Sequence, residues 1–303
     1  MDTVFPDGTA EKRPFRIEGE NYYGPGVGDM KNGDLAMFHI AANLPETEKK
    51  CLNIAMVYNP DEEIGSIYSK EITDRIGCQA DHIFVMESAG KNGTRHCFAR
   101  KGSLTYDIEF QGQAAHAGFM FEVENASAVL EMGHYIVELM SLADREKDTT
   151  VNVGIANGGT ARNVVADHAK ISVEMRFRDD SERIRLKEYV NKITEGQPFV
   201  PGVKTTITMQ KETPPFIKTE EAKKYIERVR KIAEEYGIPF EEKDRGGLSD
   251  ANHLSRCGNA IVMDGMGPHG ANDHSEKEYG YIGSVEPCVK LHLAILNDML
   301  NKQ

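Results

Sequence analysis

The chain has 303 residues, of which 40% are hydrophobic and 28% are charged, and its formal net charge is −12. The length predicts about two domains, and the composition excludes a disordered chain. The acidic balance argues against partners such as nucleic acid or anionic membranes, and no apolar run approaches the ~18 residues of a membrane span. Five scattered cysteines without a C-x-x-C pair predict a reducing, cytoplasmic location.

The first hundred residues predict an α/β domain. Short glycine-rich segments come first, and helices are then predicted at 31–44 and 62–76. Short apolar runs predict buried strands at 52–58 and 83–86. Because such strands alternate with helices, the sheet is expected to be mostly parallel and covered on both faces.

The pattern changes near residue 100. Alternating apolar and polar residues predict strands at 103–111, 150–155, 168–177 and 203–209, with helices at 125–143 and 181–194. This β-α-β-β-α-β order is that of a ferredoxin-like α+β domain. A helix at 220–236, a strand at 260–263 and a helix at 286–300 then restore the α/β character. The prediction is therefore a discontinuous α/β domain, 1–101 and 213–303, interrupted by an inserted domain, 102–212.

Acidic residues and one histidine stand at loops and strand ends in the larger domain. They are Asp29, Glu62, Glu63, Glu87 and His274. Each has an ordinary structural explanation: Asp29 as a helix cap, Glu62 and Glu63 as partners of a helix dipole, His274 as a loop histidine. Glu87 directly follows an apolar strand, where ligands of α/β proteins usually bind, so a functional role is favoured there. Carboxylate and imidazole groups are ligands of divalent metals.

Taken together, these residues and their surroundings resemble the zinc-dependent aminoacylase and carboxypeptidase metallopeptidase family. The closest branch is the folate-hydrolysing glutamate carboxypeptidases, and the resemblance covers essentially the whole chain. The segments that carry it are 1–6, 23–33, 61–66, 86–88, 115–118, 249–251 and 274–275. The family architecture is a two-zinc catalytic domain interrupted by a ferredoxin-like lid that dimerises, which agrees with the predicted elements.

The resemblance implies a role for each metal-site residue. Asp29 would bridge two zinc ions, Glu63 and His274 would complete one site, and Glu87 would belong to the other. Glu62 would be the general base that deprotonates the attacking water and later protonates the leaving amine. Asp2 would orient a histidine that the family carries two positions before it.

That histidine is absent, because Met1 occupies the middle position of the family's His-x-Asp pattern and the chain begins there. We expect Met1 to be an internal methionine of a longer reading frame, with a real truncation as the alternative. If the truncation is real and the protein begins at Met1, one zinc site is incomplete. We then expect weakened metal binding, little activity and an exposed apolar sheet edge.

Three residues of the inserted domain match lid residues of the family. His116 would cross the interface of a homodimer and stabilise the oxyanion in the partner's site, whereas the alternative is a turn histidine. Asn163 and Arg176 would bind the terminal carboxylate of the substrate, although Arg176 could equally be a solvated charge on the sheet face.

The expected activity is hydrolysis of an amide bond next to a free α-carboxylate in a small peptide or N-acyl amino acid, with release of C-terminal glutamate. Two alternatives stay open: an N-acyl-amino-acid deacylase on the same scaffold, and a non-catalytic remnant that only dimerises or binds ligand.

Overall fold

The computed structural model describes residues 2–301, so Met1 and the His-x-Asp position assigned to it lie outside the described residues. The chain divides into two compact units. The first contains the residues up to Arg100 together with those from Phe216 onward, and the second is continuous from Lys101 to Pro215. No helix of the described part is long and apolar enough to cross a membrane.

The main apolar core of the first unit is built largely from three of its helices, Asn32–Asn43, Glu220–Glu235 and Val285–Leu300. The full set of described helices in this unit has the bounds Thr9–Lys12, Asn32–Asn43, Glu46–Cys51, Lys70–Gly77, Glu220–Glu235, Ala251–Leu254 and Val285–Leu300. Helix Glu220–Glu235 begins where the Thr219 hydroxyl accepts a hydrogen bond from the Ala222 amide, which caps the helix. Its buried residues recur at helical spacing, as in Ile226 and Val229, and therefore face the core with Leu291.

The strands of the first unit form one mixed sheet and two short parallel pairs. The five-stranded sheet has the order Arg16–Glu18, Asn21–Tyr23, Tyr279–Tyr281, Gly267–Ala271 and Ser88–Ala89. Only its last pair is parallel. The two parallel pairs are Ile261–Met263 with His82–Phe84, and Glu241–Glu242 with Arg95–His96. The predicted α/β class is confirmed by this combination of short strands with flanking helices. The expectation of a mostly parallel sheet is wrong for the five-stranded sheet, since three of its four strand pairs are antiparallel.

The predicted strand at 52–58 is wrong, because this segment has no ladder partner among residues 2–301. Ile54 is 40% exposed and Tyr58 is 49% exposed. Together with residues 82–87, the segment lines an open groove of about 810 Å³. An apolar run alone cannot form a strand, since the backbone groups of a strand need a neighbour to pair with.

The predicted helix at 62–76 is divided. A single 3₁₀ turn, Glu62–Ile64, comes first, and the α-helix begins only at Lys70. Gly65 and Ser66 separate the two with φ values of +88° and +54°, in the left-handed region that interrupts a right-handed helix. The break leaves the two glutamates on a tight turn.

The second unit confirms the ferredoxin-like order. Its antiparallel sheet has the strand order Lys204–Thr213, Gly102–Gln111, His168–Phe177 and Thr150–Gly158. Two helices, Ala128–Met140 and Asp180–Glu195, pack on this sheet and are capped by Ser127 and Asp179. In the strand Gly102–Gln111 every second residue from Leu104 to Phe110 is buried, as the alternation predicts.

Candidate metal centre

Three residues that are far apart in sequence meet in the first unit. The Nε2 atom of His274 lies 3.0 Å from Oδ2 of Asp29 and 3.1 Å from Oε2 of Glu63. One ligand atom from each of the three side chains lies within 4.8 Å of the other two. Two carboxylate oxygens and one imidazole nitrogen, converging on a common point, form a donor set that suits a divalent cation such as Zn²⁺. The residues present therefore fit a metal ion.

Asp29 is carried by a loop that is held close to the five-stranded sheet. Gly26 has a φ of +72°, which favours glycine. At Gly28, a Cβ atom would lie 3.0 Å from the Tyr279 carbonyl oxygen and 3.2 Å from Gly270 Cα, so a side chain there would push the loop away from the strands. The glycines that the sequence shows around Asp29 thus allow the close approach of this loop.

Glu62 and Glu63 lie on the 3₁₀ turn, and the half-buried side chain of Asp250 bonds to residues on both sides of this turn. Asp250 Oδ2 accepts a hydrogen bond of 2.7 Å from Asn59 Nδ2, before the turn, and Asp250 Oδ1 accepts one from Ser66 Oγ, after it. The Glu63 amide donates to Asp2 Oδ2 at 2.9 Å. In this structure Asp2 therefore supports the turn that carries Glu63.

Burial and mutual repulsion raise the pKa values of the acids in this cluster. Desolvation, then Asp250, Glu63 and Asp29, raises the pKa of Glu62 to about 8. Desolvation and then Asp29 raise the pKa of Glu63 to about 7, and desolvation is also the main reason why the pKa of Asp29 is raised. The pKa of Glu87 is raised well above its ordinary value by desolvation, then by the charges of Asp29 and Glu62. Within residues 2–301, however, the group of converging ligand atoms consists of Asp29, Glu63 and His274 and does not include Glu87.

These shifts predict how the stability of the metal-free protein depends on pH. Between the ordinary value of 4.5 and the folded-state pKa of about 8 for Glu62, the unfolded chain releases protons that the folded chain keeps. The folded state therefore loses stability as the pH rises through this window. A cation neutralises the same carboxylates, so Zn²⁺ should reduce the slope and its binding should release protons.

Thermal unfolding measured from about pH 5 to about pH 8, with and without Zn²⁺, checks this prediction. Glu62→Gln, which cannot ionise, should show a smaller slope than the unmodified chain. A metal-free Tm that rises across the window would contradict the prediction.

Comparison with known proteins places the chain in a family. The model of "Peptidase family M20/M25/M40" matches residues 1–298. The chain belongs to the M20 peptidase family. It is therefore a metallopeptidase or amidohydrolase, and enzymes of this family are generally metal-dependent.

Several relatives of this M20 chain have different names. It is 25% identical to carboxypeptidase G2 of Pseudomonas sp. over 303 residues, covering 99% of this chain and 72% of that protein. It is 28% identical to a putative succinyl-diaminopimelate desuccinylase of Mycobacterium tuberculosis, covering 65% and 55% of the two chains, and 28% identical to acetylornithine deacetylase of Myxococcus xanthus, covering 51% and 41%. The crystal structure of aminopeptidase PepT from Bacillus cereus matches the fold with a TM-score of 0.76 at 21% identity, covering 98% and 78%.

Two of the predicted lid residues, His116 and Asn163, are neighbours within the second unit. The strand Ala115–His116 pairs with Val164–Val165, and the Ala117 amide donates to the Asn163 carbonyl at 2.9 Å. His116 is exposed, and its Nδ1 accepts a hydrogen bond of 3.1 Å from the Gly118 amide. Accepting at Nδ1 leaves the proton on Nε2, so that Nε2 can donate.

Arg176 lies elsewhere in the second unit, on the strand His168–Phe177, where it pairs with Glu174 at 2.7 Å. This ion pair agrees with the alternative of a charge on the sheet face, although a partly exposed guanidinium can also bind a carboxylate.

Two residues that support the site were not found as functional residues from the sequence. Asp250 appeared only as part of the segment 249–251, without a role. Arg100 is buried against Asp264, and its guanidinium lowers the pKa values of Glu62 and Glu87. Nothing in the local sequence around Arg100 distinguishes it from a surface arginine, because its burial depends on the pairing with Asp264, 164 positions away.

Proposed function

We propose that the protein is a zinc-dependent hydrolase that cleaves an amide bond next to a free α-carboxylate and releases C-terminal glutamate. The observation that supports this most is the position of His274 Nε2, 3.0 Å from Asp29 and 3.1 Å from Glu63, with Glu62 adjacent in the chain. The name of carboxypeptidase G2 agrees with removal of a C-terminal residue.

In this proposal Asp29, Glu63 and His274 would hold one zinc ion, and Glu87 would contribute to a second. When bound, such ions polarise the scissile carbonyl and acidify the attacking water. The Glu62 carboxylate accepts a proton from that water as the new carbon–oxygen bond forms. It then gives this proton to the amide nitrogen as the carbon–nitrogen bond breaks. The water's second proton stays on the new carboxyl group and then passes to the amine, so the products are a carboxylate and an ammonium group.

In the metal-free chain the pKa of Glu62 is raised to about 8, mainly by desolvation, and bound cations would lower it towards the range in which the carboxylate accepts a proton. Carboxylates with a raised pKa hold a proton more readily than ordinary ones, which suits a group that must both accept and return it. The second unit is proposed to be the lid that dimerises, with Asn163 and Arg176 binding the substrate carboxylate and His116 donating from Nε2 to the oxyanion in the partner's site.

An unpartnered edge and helix face support a homodimer. Thr150–Gly158 is an edge strand of the four-stranded sheet, and Ile155 on it is 56% exposed. On the adjacent helix, Leu130 and Val137 are 54% and 69% exposed and lie seven positions apart, on one face. An edge strand beside an exposed apolar face can pair with the same surface of a second copy about a two-fold axis.

Val137→Glu should therefore give monomers, because it places a charge in the proposed interface while leaving the folded unit intact. Sedimentation velocity measures the change, and Ile184→Glu is the control, since Ile184 is 48% exposed on the other helix.

His116→Ala should remain dimeric and lose about 10²- to 10³-fold in kcat, as for loss of an oxyanion donor. A Val137→Glu dimer, or an unchanged kcat in His116→Ala, would contradict these roles.

A substrate panel separates the proposed carboxypeptidase from the alternative deacylase. The desuccinylase and the acetylornithine deacetylase among the relatives favour the second candidate, since both names describe removal of an acyl group. Folyl-glutamate, dipeptides with C-terminal glutamate, N-acetyl and N-succinyl amino acids should be assayed with the Zn²⁺-loaded protein. Turnover of folyl-glutamate and the dipeptides supports the proposal, whereas turnover of acylated amino acids alone would replace it with the deacylase.

A further inference from the structure

Glu278 is a buried carboxylate that none of the proposed chemistry uses. It is 1% exposed, and its two oxygens accept three backbone hydrogen bonds from the loop that carries Asp29. Oε2 accepts from the Gly26 amide at 2.9 Å, and Oε1 accepts from the Gly28 amide at 2.8 Å and from the Asp29 amide at 3.0 Å. Among residues 2–301 Glu278 forms no ion pair.

The desolvation cost of the Glu278 carboxylate favours one position of the loop that carries Asp29. A buried carboxylate without a cation partner is costly unless hydrogen bonds compensate for the lost water. Bonds from backbone amides to a carboxylate are charge-assisted and stronger than those to a neutral acceptor. Since all three donors belong to residues 26–29, the loop cannot move away without exposing the amides or leaving the charge unpaired.

Glu278 also ends the turn that carries His274. The Ser275 amide donates to the Asn272 carbonyl at 3.2 Å, and the Glu278 amide donates to the Ser275 carbonyl at 3.1 Å. His274 itself has a φ of +60°, an unusual conformation that the surrounding turn must hold. One residue is thus bonded through its backbone to the His274 turn and through its side chain to the Asp29 loop.

We propose that Glu278 is the positioning residue that sets the distance between Asp29 and His274. This inference rests on the proposed function, because it assumes that these two side chains bind the same cation. Ser88 supports the same loop from another side, since its hydroxyl donates to the Gly28 carbonyl at 2.9 Å. In the described part of the chain, however, only Glu278 accepts a hydrogen bond from the amide of Asp29 itself.

Glu278→Gln tests this role, because the amide keeps the size of the side chain but turns an NH₂ group towards backbone donors. The metal-free protein should be titrated with Co²⁺, followed by its visible absorption, and with Zn²⁺ in competition with a chromophoric chelator. We expect affinity to fall about 10- to 100-fold, as when outer contacts of metal ligands are lost, and the Co²⁺ spectrum to change. At saturating metal, kcat should fall while KM changes little.

The control is Glu276→Gln. Glu276 lies two residues before Glu278 and is exposed, so this variant removes the same charge without removing a buried contact. It should bind metal as the unmodified chain does. If Asp29→Asn weakens metal binding but Glu278→Gln does not, the positioning role is wrong and the metal centre stands. If Asp29→Asn has no effect either, the proposed metal centre is wrong.

Hydrogen exchange on the unmodified chain keeps the test decisive if Glu278→Gln does not fold. The amides of Gly26, Gly28 and Asp29 should exchange slowly in the metal-free protein, since each donates to the buried carboxylate. Exchange of these three amides at the rate of exposed loop amides would overturn the inference.

Discussion

Glu62→Gln is expected to lower kcat by about 10²- to 10⁴-fold while the metal content stays unchanged. This is the usual contribution of a general acid–base group, and glutamine can neither accept nor return the proton. Glu62 has no contact within hydrogen-bonding distance of His274, in contrast to Glu63, so its loss should leave the cation bound. Steady-state kinetics with metal analysis of the same preparation measure both quantities.

Two controls make the Glu62 result specific. Glu71→Gln changes an exposed glutamate on the neighbouring helix and should be as active as the unmodified chain. Glu63→Gln should lose metal together with activity. If instead Glu62→Gln loses metal in proportion to activity, the two glutamates have been assigned in the wrong order.

Asp29→Asn should abolish activity through loss of metal. The neutral amide removes one of the two carboxylates that face His274, and the remaining donors no longer offset the cation's lost hydration. We expect metal affinity to fall by more than the ~10- to 100-fold caused by losing an outer contact. Competition with a chromophoric chelator measures this change directly, without reference to substrate.

Asp273→Asn is the matched control for charge. Asp273 is exposed, and its carboxylate contributes to the raised pKa of Asp29, so its removal takes an equal charge from the same neighbourhood. Metal affinity should change only slightly in this variant. Equal losses in Asp29→Asn and Asp273→Asn would indicate a general electrostatic effect instead of direct binding.

The second unit was the part of the fold that the sequence predicted most closely. The strand 168–177 was predicted at the bounds that the structure gives it, His168–Phe177, because strict alternation along a half-exposed sheet is a local property. The segment 52–58 shows the opposite case, since an apolar run gives no information about whether a neighbouring strand is available. The prediction of one continuous helix from Glu62 is wrong for a third reason. Gly65 and Ser66 have positive φ values, which interrupt a right-handed helix and which the spacing of apolar residues does not indicate.

The candidate site was also predictable from the sequence only in part. Asp29, Glu63 and His274 were grouped through a family resemblance, and the structure brings them together. Their supports were missed because each acts through a long-range contact, as with Glu278 and Gly26, 252 positions apart. A buried glutamate in a polar loop has no local pattern that separates it from a solvated one. Only the tertiary structure shows which acidic side chains have backbone amides as partners.

The discontinuity of the first unit has a consequence for the order of folding. The second unit is continuous from Lys101 to Pro215, so all its strands are available once that stretch has left the ribosome. The first unit must wait for the residues from Phe216 onward, and the metal-site residue His274 is made after the whole of the second unit. Since domains generally fold as units during synthesis, the inserted unit should fold first. Capture of a cation by all three side chains would then follow folding of the inserted unit.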